Sequence, residues 1–395
     1  MAMQLPFSYS VRSLFARKTR TALTVGVIAL VVIAVSLFLG LASSLRRTLV
    51  STGDPQNLLV MRKGSDNDGS SQLTLQSLQD IRFFDGIARG PDGEPLLSPE
   101  IVMQPFFYNR SGGRENVLVR GVEPAAALAV HGEVRVVEGR MFEPSKSEVI
   151  VGRGVAGRYR GAALGETLEF GRGRWKVVGV FESGGSSFES EVWAGARELA
   201  NDAKRVMPYS SFRLRVADGA DMDALARRIG ADPRHALEAQ REIDYYAEQG
   251  ESARTIYVLV IFVAILAGVG AVLGATNTLY AAVQSRIAEI GTLRALGFSR
   301  GAILRSFLIE SLLTAALGFA IGGALAVVLA IAVSSALGGI GFGAATFTTN
   351  VIQLRVGASD LAATLALALT IGVLGGFFPA RRAARLRPIE ALRKG

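Results

Sequence analysis

The sequence contains no cysteine and only two histidines in 395 residues. No disulfide framework, zinc–thiolate site or thiol nucleophile is open to it. His131 and His235 lie far apart and lack metal-ligand spacing, so each reads as a surface or internally satisfied imidazole. Charge is sparse too. Asp, Glu, Lys and Arg make up 19% of the chain, against roughly 25% in soluble domains. No GxxxxGK[ST] loop is present to cradle nucleotide phosphates, and no HExxH helix to hold zinc. The serines of residues 183–190 stand beside Glu189 and Glu191, but a hydrolase needs a base and an orienter, and neither is evident. That segment reads as a flexible turn. The chain is read as non-catalytic, with no cofactor or metal of its own.

Half of the residues are apolar, and they are concentrated. A bilayer crossing needs about 20 apolar residues, and four runs supply it: residues 21–43, 255–283, 304–337 and 361–379. The first follows a basic segment, as a signal peptide would. It is longer than a signal core and ends in no small-x-small cleavage site, so it reads as a retained anchor.

The formal charge of +9 resembles that of a nucleic-acid binder, but its distribution argues otherwise. Residues 44–254 hold 28 Lys/Arg and 30 Asp/Glu, a net of −2, which leaves +11 in the flanks of the apolar runs. Lys and Arg in short flanks set membrane orientation. They crowd residues 1–20, the loop at 284–303 and the tail at 380–395, while the loop at 338–360 has only Arg355. Both termini and the 284–303 loop are therefore expected in the cytoplasm, and residues 44–254 outside it. No nucleic-acid partner is expected. The fold class is an α-helical membrane protein with four transmembrane helices and a mixed α/β extracytoplasmic domain inserted between helices 1 and 2.

Within that domain, Glu148–Gly152, Thr167–Phe170 and residues 175–181 read as strands punctuated by glycines. Residues 212–216 alternate as a strand, and residues 221–229 have helical spacing. Residues 64–71 are rich in Gly, Ser and Asp and read as a mobile loop. Phe106, Phe107, Tyr108 and Arg110 suit either contact with an apolar ligand or a buried strand. The helices are expected to extend beyond the membrane edges, through residues 41–48 and, as a polar helix, through residues 238–254. Two such rods would carry motion between membrane and domain. In the apolar runs, Gly270/Gly274 and Gly318/Gly322 are small-xxx-small pairs suited to helix packing or dimerisation. Glu310 lies in the third run near its start, where Arg305 or Arg294 could pair with it.

Residues 284–313 read QSRIAEIGTLRALGFSRGAILRSFLIESLL. Ile287, Ile290 and Leu293 share a helical face, Gly297 suits a C′ stop, and Ser299 can cap the helix that follows. The segment Glu289, Ile290, Gly291, Thr292, Leu293, Arg294, Ala295, Leu296, Gly297 resembles the Leu-Arg-Ala-Leu-Gly motif of the FtsX/MacB-type, or type VII, ABC-transporter permeases. The Pro-Ala-Arg-Arg-Ala-Ala-Arg of residues 379–385, followed by Pro388 and Ala391, Leu392, Arg393, resembles the C-terminal signature of the same family. Residues 139–142, 148–152, 164–165 and 177–180 look like the MacB-like periplasmic core domain.

The resemblance implies a permease subunit of an ABC transporter in the bacterial inner membrane. ATP and Mg would be bound by separate ATPase subunits. A second permease copy, membrane lipids and a membrane-fusion adaptor are the further partners it implies. Glu289, Gly291, Leu293, Arg294, Ala295, Leu296, Gly297, Phe298, Ser299 and Arg300 would couple to the ATPase, with a short coupling helix at residues 299–305. The basic, aromatic stretch within residues 1–20 would lie along the inner membrane face. Movement of the external domain by mechanotransmission would export or extract a peptide, lipid, lipoprotein or antibiotic. The alternative is a transmembrane relay that controls a cell-wall hydrolase.

Overall fold

The computed structural model describes residues 18–110, 112–249, 252–337, 339–342 and 350–386. The amphipathic stretch before residue 18 and the motif residues after 386 lie outside the described residues. The chain divides into two units. One comprises residues 1–44, 254–333 and 354–395; the other comprises residues 45–253 and 334–353.

Four long helices, Lys18–Val50, Ser252–Gln284, Arg300–Leu337 and Ala358–Ala384, each contain a stretch long and apolar enough to cross a membrane. The first runs on to Val50, as the sequence beyond residue 43 suggested. Glycine decides how the helices pack. A methyl group placed on Gly318 would come within 2.7 Å of Ile28 Cγ2, and one on Gly322 within 2.6 Å of the Ala29 carbonyl oxygen. The first and third long helices thus approach backbone to side chain at Gly318 and backbone to backbone at Gly322. Gly372, Gly375 and Gly376 do the same for the fourth helix, against Ala315, Ala275 and Ser311. Hydroxyl contacts add polar links: Thr24 to Thr278 at 3.0 Å, Ser36 to Thr364 at 3.2 Å and Ser43 to the Asp360 carboxylate at 2.9 Å.

Gly270 and Gly274 have nothing within 4 Å of an added methyl. They are not part of this packing, although their spacing matches that of Gly318 and Gly322; the rotation of the second helix turns them outward. Gly322→Leu should therefore cost about 1–3 kcal/mol by overpacking, whereas Gly274→Leu should leave the melting temperature of the monomer in detergent unchanged. Equal effects of the two substitutions would refute this assignment of faces.

The external unit is built on a ten-stranded sheet. Its strands in chain order begin with β1 (Asn57–Arg62) and β2 (Leu97–Met103). The hairpin β3 (Phe106–Tyr108) and β4 (Arg114–Asn116) stands apart from it. Next come β5 (Leu118–Val122), β6 (Arg135–Gly139), β7 (Glu148–Gly152), β8 (Thr167–Phe170) and β9 (Gly173–Glu182). The last are β10 (Glu191–Gly195), β11 (Ser211–Arg215) and β12 (Leu237–Arg241). The spatial order is β12-β1-β11-β2-β5-β10-β7-β9-β6, with β8 on β9. Only β5/β10 and β7/β9 pair in parallel among these strands.

Both faces are covered, and the period of two along each strand sorts side chains between them. Val149 and Val151 enter one core with Trp175 and Phe107, while Ile150 between them enters another with Trp193, Phe181 and Tyr246. Leu58 and Val60 join a third core under the helix Met222–Gly230, which Asp221 caps.

Three expectations need correction. Residues 64–71 are not a mobile loop, because Asp68 is buried and ion-paired to Arg120 at 3.3 Å and Arg213 at 3.4 Å. Residues 183–190 are a structural turn, buried apart from its tip at Gly184 and Gly185, that contains the 3-10 helix Ser187–Ser190. Ser187 N–H donates to the Thr52 hydroxyl at 2.8 Å, and the Glu189 carboxylate accepts from Ser183 and Gly185 N–H. Residues 238–254 do not form one rod. Their first part belongs to β12, then the helix Glu242–Gln249 turns Tyr245 and Tyr246 into the core, and the second long helix begins only at Ser252.

The described part of the 338–360 loop forms an antiparallel pair, β13 (Ile340–Phe342) and β14 (Asn350–Ile352). It joins the external unit: Val351 N–H donates to Ser190 Oγ at 2.8 Å.

Candidate functional site

The segment linking the second and third long helices is a helix–turn–helix whose backbone is fixed at each joint. The helix Ile287–Ala295 ends in a turn at Gly297, whose φ of 92° favours glycine. The Ser299 hydroxyl then accepts from Ala302 N–H at 3.1 Å, capping the next helix. Arg294 donates to the Phe298 carbonyl at 2.9 Å and braces the turn from within. The capped helix is the third long helix itself, so residues 299–305 form its first turns. The separate short helix is instead Ile287–Ala295.

The motif residues divide into two sets. Gly291 and Phe298 are buried, and Leu293 is half-buried. Phe298 packs with Val283, Ile290, Ile303 and Phe307 and, from the fourth helix, Ala380, Ala383 and Ala384. Arg294 and Ser299 hold the turn. Ala295, Leu296, Gly297 and Arg300 face out, and Leu296 is 64% exposed. Glu289 is exposed but tied, its carboxylate accepting from Arg286 Nε at 2.9 Å.

The residue that sequence reasoning missed is Arg286. It is buried at the junction of the second long helix and the short helix. Its guanidinium bridges Glu289 to Glu310, which lies 3.1 Å from Nη1, and stacks 5.2 Å from the Phe307 ring centroid. Glu310 thus pairs with Arg286 rather than with Arg305 or Arg294. A cavity of mixed character lies beside Glu310, where Thr21, Thr24, Thr278, Ser311 and Thr314 alternate with Ile28, Ala275, Leu279 and Ala282.

A second polar centre lies inside the external unit. Arg120 (β5), Arg213 (β11), Glu100 (β2) and Glu191 (β10) stand mid-sheet on one face and are all buried. Arg120 holds Glu191 with two bonds, at 2.6 and 2.7 Å, and reaches Glu100 at 2.7 Å. Arg213 bonds Glu100, Glu242 at 2.9 Å and the Tyr246 hydroxyl at 3.0 Å. His131 Nε2 lies 2.7 Å from Glu100 and is thus internally satisfied, as His235 is by Asp80 at 2.7 Å. Burial alone would push the Glu100 carboxyl up, but Arg213, His131 and Arg120 overcome it and hold it well below the usual carboxylate range. Burial also opposes charge on both arginines; Glu191 next to Arg120 and Glu100 next to Arg213 outweigh it and keep them charged. The arrangement is structural. Its groups bond one another, and among the described residues no group of three or more His, Cys, Asp or Glu is placed to hold a metal.

Two matches by letter fail on geometry. Residues 297–301 spell GxSxG, but a helix and turn precede Ser299 where a nucleophile elbow needs a strand. Residues 152–157 spell GxGxxG after β7, but turns follow instead of a helix, and Gly152 packs on the Glu189 backbone. Of the aromatic run, only Phe107 is buried; Phe106 and Tyr108 are half-exposed, with Arg114 stacked over both.

The model of the MacB-like periplasmic core domain matches residues 21–232, and that of the FtsX-like permease C-terminal region matches residues 261–388. Among relatives, the macrolide export ATP-binding/permease protein MacB 1/2 of Paracoccus denitrificans is 30% identical, over 60% of this chain and 35% of its own length. The MacB of Neisseria gonorrhoeae is 24% identical over 98% of this chain and 60% of its own. The pyoverdine export ATP-binding/permease protein PvdT of Pseudomonas savastanoi is 28% identical over 65% and 40%. The chain thus spans 35–60% of the length of these relatives. The periplasmic region of MacB from Actinobacillus actinomycetemcomitans aligns with a TM-score of 0.37 and 11% identity, over 51% of this chain and 94% of that one. With one model matching more than half of the chain and the other most of the rest, the chain belongs to the FtsX/MacB-type family of ABC-transporter permeases.

Proposed function

We propose that the chain is the membrane subunit through which a separate ATPase drives the external domain. The observation that carries this reading is Leu296, an apolar side chain held outward on a turn fixed from both sides. An exposed apolar anchor on a rigid mount is what a docking partner needs for a binding hot spot. Residues 284–303 and both termini then face the cytoplasm, in keeping with their Lys and Arg content. ATP and Mg are held by the partner. Push or pull on the short helix passes to the second and third long helices and so to the domain between the first and second. The relatives named for export of macrolides and pyoverdine support an export or extraction role on a peptide, lipid, lipoprotein or antibiotic at the outer face of a bacterial inner membrane. A second permease copy and a membrane-fusion adaptor complete the proposed assembly, and Gly270 and Gly274 offer a free face for the copy.

Coexpression with the partner ATPase tests the reading. Leu296→Asp should reduce substrate-stimulated ATP hydrolysis at least about tenfold while membrane insertion and the melting temperature are preserved. Gly297→Pro should uncouple likewise without blocking membrane insertion, but at a cost in melting temperature, because proline cannot adopt a positive φ and removes the N–H that donates to the Arg294 carbonyl. Full stimulation in both variants would remove this turn as the input.

A further inference from the structure

We propose that the end of the fourth long helix carries a binding site for the headgroup of an anionic phospholipid. Phe378, Arg381, Arg382, Arg385 and Leu386 line one open concavity of about 360 Å³. Residues 378, 381, 382 and 385 have the i, i+3, i+4, i+7 spacing that puts them on one helical face. All three arginines are exposed, and none has an ion-pair partner among the described residues. Arg382 is not loose: its guanidinium lies 5.7 Å from the centroid of Tyr280 on the second long helix. That contact pre-orders one donor fork and so reduces the entropy lost on binding.

The chemistry is that of an amphiphile. Phe378 is 57% exposed where the apolar run ends. Arg381 and Arg382 lie three and four positions beyond it, about 5–6 Å of rise, and the C-cap Arg385 lies seven positions beyond it, about 10 Å. The first two thus fall within the depth of one headgroup layer, roughly 5–8 Å, and Arg385 at its outer edge. An acyl chain would lie along Phe378 and the phosphate among the guanidinium groups, whose planar forks suit bidentate phosphate contact. The helix C-terminus carries about half a negative charge and opposes an anion, but three full positive charges outweigh it. A soluble acidic partner would use the arginines and leave Phe378 without a role, so the lipid is favoured over an acidic protein surface. The proposal rests on the fourth helix crossing a bilayer and not on coupling to an ATPase.

Native mass spectrometry of the detergent-purified chain, given phosphatidylglycerol or phosphatidylethanolamine, tests it without the ATPase present. The wild type should retain phosphatidylglycerol under activation that strips phosphatidylethanolamine. R381Q/R382Q/R385Q should lower that retention at least about tenfold, and R300Q/R305Q, which removes basic charge from the first turns of the third long helix, should not. If the triple glutamine variant fails to insert, R381K/R382K/R385K keeps the charge, and retention should fall several-fold through loss of the forks. Equal retention of both lipids, loss in R300Q/R305Q as great as in the triple variant, or unchanged retention in the lysine variant would each overturn the site.

Discussion

Arg213→Met should lower the unfolding free energy of the external domain by about 3–5 kcal/mol, the usual cost of stripping one partner from a buried ion pair. Arg213 is fully buried and serves Glu100, Glu242, Asp68 and Tyr246 at once. Methionine fills much the same volume, so little of the loss would come from a cavity. What remains is a set of carboxylates with Arg120 as their neighbouring guanidinium. Glu100→Gln should cost less, because the amide still accepts from Arg120 and no charge is left behind. The reporter is built in. Both tryptophans of the chain, Trp175 and Trp193, lie in this domain, and Trp193 Nε1 donates to Glu191 of the cluster at 3.0 Å. Denaturant unfolding of the whole chain in detergent, followed by tryptophan fluorescence, therefore reads this domain alone. A midpoint shift worth less than about 1 kcal/mol for Arg213→Met, the range of a surface pair, would mean that the cluster is not a keystone.

The same cluster sets an acid limit. The Glu100 carboxyl is held below its unfolded value, so its contribution is fully present above the ordinary carboxylate range and is lost as pH falls below it. Glu100→Gln should flatten that acid limb and leave the neutral-pH plateau without a slope.

None of this network was legible in the sequence, although its pieces were. The four membrane runs could be read because an apolar stretch of that length has few other uses. Glu148–Gly152, Thr167–Phe170 and the helix at residues 221–229 could be read because strand runs and helical spacing are local. Arg120 and Arg213, by contrast, sit at the centres of apolar strands, LVRGV and SFRLR, and a charge there looks like a solvent-facing position of an alternating strand. Only the pairing of β2 with both β5 and β11 closes water off from them. Asp68 looked mobile by composition because its partners are 52 and 145 residues away. The two glycine pairs had the same spacing and different fates, since spacing fixes a face but not which neighbour that face meets. At the candidate coupling site the turn was readable from Gly297 and Ser299. The brace beneath it was not, because Arg286 meets Glu310 across 24 residues and a change of helix.

That brace supplies the second large effect. Arg286→Met leaves Glu310 buried and without its guanidinium, and at the same time unties the short helix Ile287–Ala295 from the third long helix. In the proposed coupling mechanism, ATPase stimulation should fall about tenfold or more, since small misplacements of a working element carry penalties of that order. Stability should fall as well, so a single variant cannot separate a strut from a transmitter. Arg286→Met combined with Glu310→Leu can. With both charges gone, no uncompensated ion stays buried, and most of the melting temperature should return. The tie between the two helices is still absent, so stimulation should stay low in the double variant. Recovery of stimulation together with stability would show that Arg286 only holds the fold. Recovery of stability alone would identify the Arg286–Glu310 bridge as the joint through which the short helix moves the third long helix.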